Sequence, residues 1–228
     1  GNGPLHDMPR YDVTIPYLRM LAGPLDYTPG AMHNALRHNF FGNNDNPMGM
    51  GTRVHQMAMY ILFEAPLQML ADSPTRYMEN QECTDFISLI PTVFDETVPL
   101  LGEMGEYVAL ARRKGKTWYL AAIGDWTPRT LSLATKFLGS GSWNAEAFED
   151  APDADKEPTH WTRRTFTVKA GEPISHGANP LPGFRKDGAL TAMARAIASV
   201  QPGRGNTAPW QLEVDIGLAN DPGAVDKL

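Results

Sequence analysis

The chain has 228 residues, 42% hydrophobic and 20% charged, with a formal net charge of −6 and one cysteine. That length supports one large domain or two small ones with a substantial core. Mild acidity argues against a nucleic-acid or anionic-membrane surface, one cysteine excludes an intrachain disulfide, and no apolar run of about 18 residues offers a membrane span.

Residues 1–12 read as a polar loop, and Val13–Leu18 as a strand that continues through Met20–Ala22 to the polar exit Gly23-Pro24-Leu25-Asp26-Tyr27. Residues 42–50 are loop by composition. Gly51–Pro74 is the organising stretch. Val54, Met57, Ala58, Ile61 and Leu62 recur at helical spacing behind an N-cap at Thr52, and Pro66 ends the helix. Leu67–Ala71 then reads as a short buried strand with Asp72 at its exit, and Ser73-Pro74 starts another helix. A further helix near Glu82–Ile90 is stopped by Pro91, with Cys83, Phe86, Ile87 and Ile90 on its apolar side. Helix, strand and polar loop in this order is the unit of an α/β barrel or doubly wound sheet, where chemistry sits at strand ends.

Beyond residues 91–104 the period changes. Tyr107, Ala109 and Ala111 alternate with Val108 and Leu110, Arg113–Lys116 makes a turn, and Trp118–Ile123 returns as the second arm of a hairpin. Thr130–Phe137, Trp143–Phe148 and Arg164–Lys169 read as further strands, which suggests an antiparallel sandwich. Arg112-Arg113-Lys114 reads as a solvated hairpin tip, and Asp95-Glu96-Thr97 as a junction between domains. From Ile174 onward Gly, Pro, Ala and Asn dominate, with one short helix expected at Ala189–Val200.

Asp26 and Asp72, each just past an apolar run, are the candidate ligand carboxylates. The same positions also suit helix or turn caps. The six histidines form no zinc pattern, His55 reads as a helix residue rather than a base, Asp150, Asp153 and Asp155 as a solvated turn, and no nucleophile elbow occurs.

The run from Ile15 to Gly30 (IPYLRMLAGPLDYTPG) resembles glycoside hydrolase family 97. So do Gly51–Gln56, Ala65–Asp72, Ile90–Thr97, Gly105–Tyr107, Ala111–Gly115, Trp118-Tyr119 and Asp125–Thr127, a likeness covering about residues 10–172. The resemblance implies an α/β part followed by an all-β part: the C-terminal portion of a (β/α)8 barrel over residues 1–97, then an antiparallel β-sandwich over 98–173. Residues 174–228 form an atypical, poorly ordered tail that lacks the family's last alternating strand and leaves a sheet edge unpaired.

By the same resemblance the whole protein is an exo-acting α-glucosidase or α-galactosidase. It depends on calcium, acts on α-linked oligosaccharides, and works in the periplasm or outside the cell. The catalytic and calcium-binding carboxylates lie upstream of the Asp26–Gly30 motif, so none is assigned here and this polypeptide alone is expected to be inactive. Asp26, Tyr27 and Asp72 are the expected sugar contacts: carboxylates accept hydroxyl hydrogen bonds, and an aromatic ring stacks on a sugar's apolar face. A second reading is a non-catalytic carbohydrate-binding module built on Trp118, Trp126 and Trp143.

Overall fold

The computed structural model describes residues 7–41, 46–127, 129–175 and 191–197. Helix α1 (Met8–Asp12) is capped by the Asp7 side chain, which accepts from the Arg10 amide, and α2 (Ile15–Leu18) follows, trailed by a 3-10 turn over Met20–Ala22. The strand expected at Val13–Leu18 is therefore helical. Pro9 and Pro16 explain it, because each sits in a helix's first turn, where the absent N–H costs nothing, whereas neither could donate to a sheet ladder.

Strand β1 (Asn34–Ala35) pairs in parallel with β2 (Gly49–Met50). Helix α3 (Arg53–Leu62) begins at the expected cap, with the Thr52 side chain accepting from the His55 amide, and ends at Phe63, three residues before Pro66. Leu67–Ala71 is not a strand. Leu67 is 74% exposed and Leu70 54%, and the segment is irregular, tied by the Ala71 amide to Pro29 O. An apolar run with no neighbour to pair with gains nothing from an extended ladder. Neither Asp26 nor Asp72 therefore stands at a strand end. Helix α4 (Pro74–Glu79) is capped by Ser73, as its sequence predicts, and α5 (Gln81–Ser88) completes the helical part.

The remaining strands are β3 (Glu96–Glu103), β4 (Tyr107–Lys114), β5 (Thr117–Gly124), β6 (Ser132–Leu133), β7 (Ser142–Asp150), β8 (Trp161–Lys169), β9 (Ile174–Ser175) and β10 (Thr191–Ile197). Six of them form one sheet in the order β3-β4-β5-β10-β7-β8, and every described pairing in it is antiparallel. The helix expected at Ala189–Val200 is thus β10, a central strand. Its alanines favour a helix locally, but the open ladders of β5 and β7 decide the outcome. The expected unpaired edge is correspondingly absent at that place. The long strand expected over Thr130–Phe137 shrinks to β6, paired with β9, and a 3-10 turn at Lys136–Leu138. The rest of the segment from 174 to 228 lies outside the described residues.

Both faces of this sheet are covered. Val108, Leu110, Tyr119, Ile123 and Phe148 join one core with α3 and α5. Ala109, Ala111, Trp118, Leu120 and Ala147 face the other way, against Leu131, Leu133 and Leu138. The alternation read from β4 is this two-sided burial. All-β architecture after residue 96 fits the expected C-terminal sandwich, while the first ninety residues contribute helices and one short parallel pair.

Arg112 does not sit on a solvated tip. It is 2% exposed, lies over the Phe94 ring at 5.0 Å and reaches Phe63 O. The turn beyond it is held by Asp95, which accepts from the Gly115 amide at 2.7 Å and from Lys114 Nζ at 3.2 Å.

Candidate functional site

All ten residues of α3 are buried, which the apolar face read from its sequence does not account for. Val54, Met57, Ala58, Ile61 and Leu62 belong to the main core. Arg53, Gln56 and Tyr60 of the same helix grip the chain between Tyr27 and His33. Arg53 Nη2 donates to Met32 O at 2.7 Å, Gln56 Oε1 accepts from the amides of Gly30 (3.1 Å) and Ala31 (3.4 Å), and Tyr60 Oη donates to Pro29 O at 2.9 Å. Gly30 is obligatory here: its φ is 93°, and a Cβ would come within 2.3 Å of Tyr60 Oη.

Asp72 closes the grip from the other side. Its Oδ2 accepts from the Met32 amide at 2.9 Å and the His33 amide at 3.3 Å, and its Oδ1 accepts from Ser73 N at 2.8 Å. Tyr77 Oη accepts from Asp72 N at 3.2 Å and donates to Gly30 O at 2.8 Å. Three side chains on α3 (Arg53, Gln56 and Tyr60), together with Asp72 and Tyr77, thus hold this loop by its main chain, leaving its side chains free to shape a surface.

That surface is one wall of a cavity of about 300 Å³. Tyr27, Thr28, Gln56 and Asp72 supply its polar groups, and Met8, Phe40, Met48 and Met50 much of its apolar lining. The Tyr27 ring meets Phe63 edge-on, with centroids 4.8 Å apart. Its hydroxyl donates to Asp12 Oδ1, and Asp12 Oδ2 lies 3.0 Å from His55 Nε2. Asp12 and His55 are both fully buried. Burial, reinforced by the neighbouring Asp12 charge, pushes the Tyr27 phenol far above its ordinary value, so it holds its proton as a donor. Cys83 lies in the core as expected, and burial raises its thiol to about 11.

The structure brings two of the three expected contacts, Tyr27 and Asp72, to one cavity. Asp26 is exposed and stands outside its lining. Sequence reasoning missed Asp12 and Gln56. The signal for Gln56 was the run Arg53, Gln56, Tyr60, polar groups at helical spacing on the side away from the apolar stripe; nothing comparable marked Asp12. Among the described residues Asp72 is the one carboxylate on the cavity wall, and no group of three or more His, Cys, Asp or Glu side chains could hold a metal ion. These residues do not fit a calcium site.

Residues 93–185 match the family model described as Glycosyl-hydrolase 97 C-terminal, oligomerisation. A retaining alpha-galactosidase of Bacteroides thetaiotaomicron is 42% identical over 183 residues, 80% of this chain and 28% of that protein. A probable retaining alpha-galactosidase of Streptomyces bingchenggensis is 28% identical over 162 residues, 71% of this chain and 23% of that one. Among solved structures, a glycoside hydrolase family 97 enzyme from Pseudoalteromonas sp. strain K8 in complex with acarbose superposes with a TM-score of 0.69 at 28% identity, covering 83% of this chain and 29% of the other. The chain spans less than a third of the length of these relatives. The motif run, the antiparallel sheet and these likenesses together place the chain in glycoside hydrolase family 97, whose C-terminal region it covers.

Proposed function

We propose that the chain is the C-terminal part of a retaining α-galactosidase that removes terminal galactose from α-linked oligosaccharides. The observation that carries this reading is the 42% identity to the Bacteroides retaining alpha-galactosidase, against 28% to the Pseudoalteromonas enzyme whose structures hold acarbose and panose. In this reading residues 1–97 close a (β/α)8 barrel, a role supported by the parallel β1–β2 pair running directly into α3. Calcium is proposed for the whole protein only, bound by carboxylates other than those described here.

Retention needs a nucleophilic carboxylate and an acid about 5–5.5 Å apart, one attacking the anomeric carbon and the other protonating the leaving oxygen. Asp72 is one carboxylate, and its oxygens are occupied by main-chain amides. The chemistry therefore falls to groups elsewhere in the protein, while the 27–33 loop and the cavity it walls serve the sugar. The binding-module reading is weaker, since Trp118 is buried and Trp126 and Trp143 pack against core clusters, leaving no open aromatic platform among them.

The test is an assay of a full-length protein carrying this chain on 4-nitrophenyl α-galactoside and α-glucoside, with NMR detection of the first sugar anomer released. The expected result is α-galactose first, with the galactoside turned over at least about tenfold faster, the discrimination that roughly 1.4 kcal/mol of transition-state binding provides. Preference for the glucoside, or β-galactose as first product, overturns it.

A further inference from the structure

We propose that Gln56 reads a sugar hydroxyl: its amide Nε2–H group is the fixed hydrogen-bond donor of a single-ring site bounded by Tyr27, Gly49 and Asp72. The starting point is the orientation of the amide. Two main-chain N–H groups, those of Gly30 and Ala31, converge on one terminal atom of the Gln56 side chain, and only an oxygen can accept both. The other terminal atom is therefore the NH2 group. Gln56 is 7% exposed and lines the cavity, and its Nε2 finds no acceptor among the described residues. A donor without a protein acceptor, carried by a buried side chain on the wall of a cavity, is free to bond a ligand or a water.

The surroundings define what that ligand is. Nε2 lies beside Gly49, where a Cβ would come within 3.1 Å of both Nε2 and Cδ, so the absence of a side chain at Gly49 is what keeps the amide uncovered. Gly49 carries no left-handed backbone angle, so its glycine is explained by space rather than by conformation. Tyr27 and Thr28 line the same cavity, with Met8, Met48 and Met50 among its apolar lining. A donor amide, a hydroxyl, an aromatic ring and polarisable apolar walls match a neutral polyhydroxylated ring, with one apolar face and one hydroxyl directed at the amide. A volume of about 300 Å³ lies at the small end of small-molecule sites and suits a single pyranose. Gln56 has two roles at once. Its oxygen fixes the 27–33 loop, and its nitrogen addresses what the loop encloses.

The choice of a pyranose rests on the proposed α-galactosidase reading; the geometry of the donor does not. Gln56→Glu separates the two roles, because a carboxylate still accepts from Gly30 and Ala31 but donates nothing into the cavity. Gly49→Ala is the second variant: its Cβ covers the amide, pressing on Gln56 Cδ and Nε2 and on Ala31 Cβ, while removing neither main-chain donor. The experiment titrates methyl α-galactoside into the 228-residue chain by calorimetry, with circular dichroism and urea midpoints confirming the fold of each variant. The expected result is saturable binding in the millimolar range by the native chain, weakened at least tenfold in both variants at unchanged secondary structure. Binding that survives Gln56→Glu or Gly49→Ala in a folded protein overturns the inference, as does a native chain that binds no methyl α-galactoside. A full-length protein that hydrolyses α-galactosides while the folded Gln56→Glu chain binds normally removes this assignment alone and leaves the enzymatic reading standing.

Discussion

Replacing Asp12 by alanine will destabilise the fold by about 3–5 kcal/mol, the cost of leaving two buried polar groups without their hydrogen-bond partner. Asp12 is fully buried, and each of its oxygens has one donor: the Tyr27 hydroxyl on Oδ1 and His55 Nε2 at 3.0 Å on Oδ2. Alanine leaves a phenol and an imidazole in the core without their carboxylate, and His55 Nδ1 already has no partner among the described residues. Three segments distant in sequence, α1, the loop at Tyr27 and α3, lose their common tie. Urea unfolding measures the loss. A cycle with Tyr27→Phe isolates the phenol–carboxylate contribution, expected at about 0.5–3 kcal/mol of coupling. A penalty for Asp12→Ala below roughly 1 kcal/mol would show that water satisfies these groups and that the network holds nothing in place.

The second large effect is expected at Asp72. Its carboxylate accepts from three main-chain amides, Met32, His33 and Ser73. Alanine strands them, one at the buried Met32, for an expected loss of about 2–4 kcal/mol. Asp72→Asn retains one acceptor oxygen and should recover roughly half of that loss. Urea midpoints for the two variants decide the matter. A stable Asp72→Ala protein would return Asp72 to its alternative role, as a carboxylate free to meet the sugar.

How far the sequence revealed this arrangement varies from residue to residue. Helix α3, its Thr52 cap, the Ser73 cap of α4 and the β4–β5 hairpin follow from local rules, because capping and alternation are decided within a few residues. Val13–Leu18 and Leu67–Ala71 misled for one reason: a short apolar run is compatible with strand, helix or exposed loop, and only its neighbours choose. At β10 the alanines of Thr191–Ile197 point to a helix, yet the gap between β5 and β7 can be filled only by a strand. The resemblance singled out Tyr27 and Asp72 as expected sugar contacts, and both line one cavity, but their neighbourhood with Gln56 and Asp12 was not legible. Asp12 lies 15 positions from Tyr27, and Gln56 lies 29 from Tyr27 and 16 from Asp72, and no periodicity connects them before the chain folds.

The central claim is that this polypeptide shapes a sugar site without supplying the bond-breaking pair. The most direct test is release of nitrophenolate from 4-nitrophenyl α-galactoside by the purified, folded 228-residue chain alone. The account predicts a rate indistinguishable from buffer, because a single, fully hydrogen-bonded carboxylate on the cavity wall cannot serve as both nucleophile and acid. Turnover that saturates with substrate and scales with chain concentration would contradict it, and would place a working carboxylate pair within these residues.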